Sequence, residues 1–177
     1  MDTARTARLA TQRLLLRPLG PDDGDALHDL LAQPGVRRHL FDGLVPGRAE
    51  VDAMAVESGR RFGTCGAGLW LAFGIARPQA PAGLAGFWGF EQGGGRPPVD
   101  ELVFALDESC WGRGLATEAS RAVLGYACDA LGWTEARAST DDGNLASART
   151  LVRLGFREYG QAIRPGSVLR LFRKPLQ

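Results

Sequence analysis

Apolar residues along this chain switch between a two-residue and a three-to-four-residue period, and the switches mark out its elements. Residues 12–19 alternate well enough to predict a strand, ended by Pro18 and Gly20. Asp22 then reads as a helix N-cap, with acidic Asp25 three residues on. Ala26, Leu27, Leu30 and Leu31 follow at helical spacing, and Pro34-Gly35 reads as the stop. A helix is predicted over 48–61 from Val51, Met54 and Ala55. Residues 68–77 and 82–92 are rich in Trp, Phe and Leu and predict an antiparallel hairpin turning at Pro78 and Pro81. Gly93 to Gly95, with Pro97 and Pro98, predict a second turn, and 100–107 a third strand of the meander. Over 112–131, Leu115, Ala119, Ala122, Val123, Tyr126 and Ala127 recur at helical steps, and Gly132 sits where a C-terminal glycine belongs. A strand over 135–140, a helix over 144–154 closed by Gly155, and strands over 156–159 and 168–173 around Pro165-Gly166 complete the pattern. No repeat and no long linker divides the chain, so 9–177 reads as one domain behind a loose N-terminal arm, 1–8.

Composition narrows the class. A chain of 177 residues can bury a single core. With 45% hydrophobic and 23% charged residues, it is globular rather than disordered. The net charge of +1 supplies no field for nucleic acid or an acidic membrane surface. No apolar run reaches the roughly 20 residues of a membrane span. Cys65, Cys110 and Cys128 are odd in number and lack C-x-x-C spacing, which predicts reduced thiols in a cytoplasmic protein. His28 and His39 are the only histidines, so no metal site is expected. Lys174 is the only lysine among 21 basic residues, which points to a GC-rich genome of bacterial type.

The chemically informative stretch is 107–118. A strand ends, the chain turns through Gly112 and Gly114, and a strong helix begins. Glycines admit close approach and positive φ. The first helical N–H groups lack internal partners and carry the positive end of the helix dipole. Such a turn can hold a phosphate or diphosphate, and Arg113 would add charge at its rim. Taken alone, it is also an ordinary glycine-rich turn. No Gly-Lys-Ser/Thr follows, and no complete G-x-G-x-x-G is present.

Four segments, in order, carry a resemblance. QRLLLRPL at 12–19, ELVFAL at 101–106, WGRGLATEA at 111–119, and NLAS at 144–147 with LVRLGF at 151–156 together resemble the GNAT superfamily of N-acetyltransferases. They are most similar to its RimJ/RimL-like branch of ribosomal-protein N-acetyltransferases. The usual loop reads Gln/Arg-x-x-Gly-x-Gly/Ala. Here Trp111 takes the first position, as in that branch, while Gly114 and Ala116 match the rest. The resemblance implies an α/β (α+β) domain: a mixed, mostly antiparallel sheet of six or seven strands flanked by helices. Its fourth and fifth strands run parallel and splay, with a bulge in the fourth. It also implies acetyl-CoA as cosubstrate, no metal, and direct attack by a primary amine.

The same resemblance suggests roles. The loop Trp111, Gly112, Arg113, Gly114, Leu115, Ala116 and Thr117 would hold the diphosphate. The fourth strand, through Val103, Phe104 and Leu106, would bind the pantetheine arm, and a main-chain N–H near Phe104 or Leu106 would polarise the thioester oxygen. Asn144 would contact the arm. Ser147 would protonate the sulfur, since Leu151 stands where many members carry a Tyr. Glu101 is the first candidate for the base and Glu91, ending the preceding strand, its rival; Asp100 and Asp107 read as strand-end residues. His39 and Phe41, with Trp88, would help shape an acceptor pocket, as would Glu91 if it is not the base. More simply, Asn144 is a helix N-cap with Ser147 as its partner, Arg149 and Arg153 form a solvated face, and the aromatic residues are core. The expected partners are acetyl-CoA and an amine such as a protein N-terminus or small molecule, with no nucleic acid, no membrane, and a homodimer left open. Two other classes remain: a non-catalytic acyl-CoA sensor on the same fold, and a nucleotide-binding protein with a fully parallel sheet.

Overall fold

The computed structural model describes residues 7–90, 99–164 and 166–177. Among these, eight strands and five α-helices are formed. The order is β1 Leu9–Ala10, β2 Leu14–Pro18, α1 Gly24–Leu31, α2 Pro34–Leu40, α3 Arg48–Cys65, β3 Leu69–Gly74, β4 Arg77–Phe90 and β5 Val99–Leu106. Then come α4 Leu115–Asp129, β6 Glu135–Asp141, α5 Leu145–Arg153, β7 Arg157–Arg164 and β8 Ser167–Pro175. They form one sheet in the order β1-β2-β3-β4-β5-β6-β8-β7. Every pairing is antiparallel except β5 with β6. A fully parallel nucleotide-binding sheet is thereby excluded.

Strand side chains alternate between faces, and the two faces bury different cores. Leu14, Leu16, Trp70, Phe87, Leu102 and Leu106 face α4 and α5, where they meet Leu115, Val123 and Leu151. Leu69, Leu71, Leu84 and Ala105 face α1, α2 and α3, where they meet Leu27, Leu31, Val36 and Val51. Trp70 stands edge-on to both Phe62 and Tyr126, with ring centroids 4.9 and 5.1 Å away.

Several local expectations change. Pro34 and Gly35 start a helix instead of ending one, because proline at the first helical position gives up an N–H that would be unpaired anyway. Asp23, not Asp22, organises the entry to α1: its carboxylate accepts from Gly20 N at 2.9 Å and pairs with Arg17 at 2.6 Å. Pro78 and Pro81 lie within β4, near the register shifts against β3. The sheet has eight strands because Leu9–Ala10 pairs with β2, on the same short stretch where Ala7 and Leu9 pack against the core. β4 and β5 pair residue by residue from Gly83–Leu106 to Phe90–Val99, so no bulge shifts that register. The divergence lies on the other side of β5, where the only register pair with β6 is Glu101 opposite Arg137.

Candidate functional site

The turn after β5 shows how main chain becomes a binding surface. Gly112 and Gly114 have φ of +70° and +75°, the left-handed region that costs other residues about 1–2 kcal/mol. Gly114 is the N-cap of α4, so the N–H groups of the first turn open onto the loop. Trp111, half exposed, anchors the turn by donating from Nε1 to Leu106 O at 2.8 Å. From the other side, Arg13 pairs with Glu118 at 2.6 Å and donates to Arg113 O at 2.9 Å. Burial pushes the Glu118 carboxyl up, but hydrogen bonds from Thr11 and Arg13 prevail and hold it below its ordinary value.

A second set of contacts ties this turn to α2. Gln33 Nε2 donates to Asp107 Oδ2 at 2.8 Å, and Glu108 N donates to Gln33 Oε1 at 2.9 Å. Gly35 N donates to Glu108 Oε1 at 2.6 Å. A Cβ at Gly35 would stand 2.4 Å from the Trp111 ring, so only glycine permits this approach. At the other end of α2, His39 Nδ1 lies 3.4 Å from Asp141 Oδ2 at the end of β6.

The phase of the β-ladder sets where β5 aims its main chain. Phe87 N bonds to Gly68 O, just before β3, and Asp107 N bonds to Ala82 O. Hydrogen-bonded pairs alternate along an antiparallel ladder. The peptide groups of Phe104 and Leu106 therefore point away from β4, into the slit where β6 diverges. A cavity of about 870 Å³ fills that slit and its mouths. Its walls include Val103, Phe104, Leu106, Trp111, Gly112, Gly114, Leu115, Ala116 and Thr117, together with Asn144 and Ser147 on α5.

Glu101 opens on the same cavity from the start of β5. Only 7% of it is exposed, and it accepts a 2.5 Å hydrogen bond from Ser139 Oγ on β6. Burial lifts its carboxyl above the ordinary value, while the Ser139 bond and the positive charges of Arg164 and Arg137 pull partly the other way. The net rise brings the group toward the range useful to a base near neutrality.

Not every sequence candidate lies here. Arg113 is absent from the cavity wall and contributes its carbonyl to Arg13. Phe41 and Trp88 pack against the α1–α3 core instead. His39 lines the cavity, as do Arg149 and Arg153. Glu91, and the turn predicted over 93–98, lie outside the described residues. Asn144 is the N-cap of α5, accepting from Ser147 N at 3.1 Å, and both side chains border the cavity. Sequence reading missed Ser139, Asp141, Arg164 and the Gln33–Glu108 clamp, all of which depend on register or tertiary contact.

This arrangement recurs in solved structures. The chain is similar to a Bordetella pertussis protein assigned to the GnaT acetyltransferase family, at 24% identity and TM-score 0.81, covering 95% of this chain and 99% of that one. It is also similar to an acetyltransferase from Agrobacterium tumefaciens at 23% identity and TM-score 0.78, covering 95% and 94%. A third is RimL, a ribosomal alpha-N-protein acetyltransferase solved in complex with coenzyme A, at 18% identity and TM-score 0.75, covering 96% and 98%. These likenesses concern the fold. The family described as the acetyltransferase (GNAT) domain matches residues 13–157. The glycine turn, the slit beside β5 and that match across most of the chain agree: it belongs to the GNAT acetyltransferase family and is an acyl-CoA N-acyltransferase.

Proposed function

We propose that the enzyme moves an acetyl group from acetyl-CoA to a primary amine by direct attack, as a member of the RimJ/RimL-like branch. The branch assignment is supported by Trp111 in the loop, by NLAS at 144–147, and by the likeness to RimL. One observation carries the mechanism. The diphosphate-type turn and the buried Glu101 carboxyl open on one cavity, from opposite ends of the same strand.

In this reading the main-chain N–H groups from Trp111 to Thr117 hold the diphosphate. Phe104, Leu106 and Asn144 hold the arm, and the acetyl thioester supplies the activated carbonyl. Glu101 takes a proton from the acceptor ammonium, directly or through one water. The N–H groups of Phe104 and Leu106 face the slit, where the thioester oxygen gathers charge. The new C–N bond forms as the C–S bond breaks; the Ser147 hydroxyl gives a proton to the departing sulfur and is restored by the second proton that the nitrogen sheds, through water, on becoming an amide. His39 stands at the acceptor mouth. The acceptor is a protein N-terminus or a small-molecule amine.

Calorimetry with CoA and thiol release from acetyl-CoA over an amine panel test this. The expected result is CoA binding, and turnover on at least one amine with KM of about 1 μM–1 mM. Absence of CoA binding refutes the proposal. Binding with no turnover on any amine indicates a sensor instead.

A further inference from the structure

The register of the sheet sorts the cavity into two compartments. Residues directly opposite one another across paired strands share a face, as do residues two apart. Glu101 is opposite Arg137, and Arg137, Ser139 and Asp141 lie two apart on β6. Asp141 is opposite Leu169, Ser167 lies two before Leu169, and Arg164 is opposite Ser167. All of these therefore lie on the face of Glu101, the one covered by α2, where His39 meets Asp141. The other compartment belongs to α4 and α5: it holds the glycine turn, Asn144, Ser147, Arg149 and Arg153.

On the strands of the Glu101 face that border the cavity, the charged groups other than Arg164 have partners; Arg38 and Asp42, at and just past the end of α2, also line the cavity and have no ion pair among the described residues. Glu101 holds Ser139, Asp141 holds His39, and Arg137 pairs with Glu135 at 3.0 Å. Arg164 lines the cavity, yet among the described residues it has no carboxylate within ion-pair distance. Arg164 and Glu101 line the same cavity from one face of the sheet, so one small molecule bound there faces both groups. A guanidinium without a partner, facing a shared cavity, is suited to bidentate capture of a carboxylate. The arginines of α5 line the cavity on the side of the glycine turn, the compartment proposed for the phosphates.

We infer that Arg164 receives a carboxylate of the acceptor itself, so that the enzyme prefers amines bearing a carboxylate near the reacting nitrogen over polycations. This rests on the acetyl-transfer reading and names its substrate class. A free amino acid and the N-terminus of a peptide with an acidic second residue both present that chemistry.

The test compares initial rates on glycine against glycinamide, on Ala-Asp-amide against Ala-Ala-amide, and on spermidine. A carboxylate preference of about 10- to 100-fold in kcat/KM is expected in at least one pair, and the responding pair identifies the source. Arg164→Ala should bring that ratio close to one through acceptor KM, and Arg164→Lys should restore part of it. The CoA Kd of Arg164→Ala, by calorimetry, should stay within about twofold, with an unchanged circular dichroism spectrum showing the variant folded. Equal rates within both pairs, a best rate on spermidine, a ratio untouched by Arg164→Ala, or CoA binding weakened tenfold by it would each overturn the inference. The first three leave acetyl transfer itself standing. Turnover on no amine removes both.

Discussion

The two mouths of the slit are built on different principles. On the α4–α5 side, the groups that face the cavity come from one run of main chain, Trp111 to Thr117, shaped by two left-handed glycines and a helix start. On the α1–α3 side, they come from side chains on separate elements: Glu101 on β5, Ser139 and Asp141 on β6, His39 on α2 and Arg164 on β7. A contiguous backbone site tolerates changes in most of its side chains. A convergent side-chain site changes character with each one. The first mouth therefore suits a ligand that every relative shares, and the second a ligand that differs between them.

Substitutions can break or sharpen that contrast. The largest effect is expected at the convergent mouth: Glu101→Gln should lower kcat/KM at neutral pH by about 10²–10⁴-fold, the usual worth of a positioned base, with CoA affinity nearly unchanged. The same variant should be more stable than wild type at neutral pH. A carboxyl whose folded pKa is raised destabilises the fold as pH climbs through the unfolded and then the folded value. Thermal melts should therefore show the gain at neutral pH, and show it gone in acid where Glu101 is protonated.

At the contiguous mouth, Gly114→Ala asks an L-residue to keep φ near +75°, at a cost of about 1–2 kcal/mol. If CoA binding must restore that geometry, calorimetry should show affinity weaker by about 10-fold. Unchanged affinity would mean the turn does not carry the cofactor. Asn144→Ala removes an N-cap and should cost about 1 kcal/mol, a drop of about 2–4 °C in Tm for a chain of this size. A larger loss in acceptor-independent CoA affinity than in stability would give Asn144 a binding role beyond capping. The subtlest change is Ser139→Ala. It removes a hydrogen bond that favours the charged form of Glu101, so the carboxyl titrates higher. Activity needs the deprotonated base, so the acid limb of kcat/KM should move to higher pH. A limb that stays in place would assign it to another group.

The same contrast explains what the amino-acid pattern reveals. The helix at α4, with Leu115, Ala119 and Val123 on one side, and the glycines before it are local facts, and local periodicity carries them. The meander of β3, β4 and β5 is legible for the same reason. Ser139 is not, because EARASTD alternates like any half-buried strand and says nothing about which strand lies beside it. Arg164 and Asp141 meet one cavity only through the register of β6, β8 and β7. Pro34-Gly35 illustrates a different limit. The pair is a valid ending for α1 and an equally valid beginning for α2, and the contact that accompanies the second, Glu108 accepting from Gly35 N, comes from far along the chain.

One bridge, Glu101 with Arg137, joins the plate of strands β1–β5 to the plate of β6, β8 and β7. The two plates otherwise communicate through α4 and through what packs across the gap. Such a molecule behaves like a book bound by a single stitch. Any widening of the slit would have to part that pair and the Ser139–Glu101 hydrogen bond beside it, while the ladders inside each plate would stay intact.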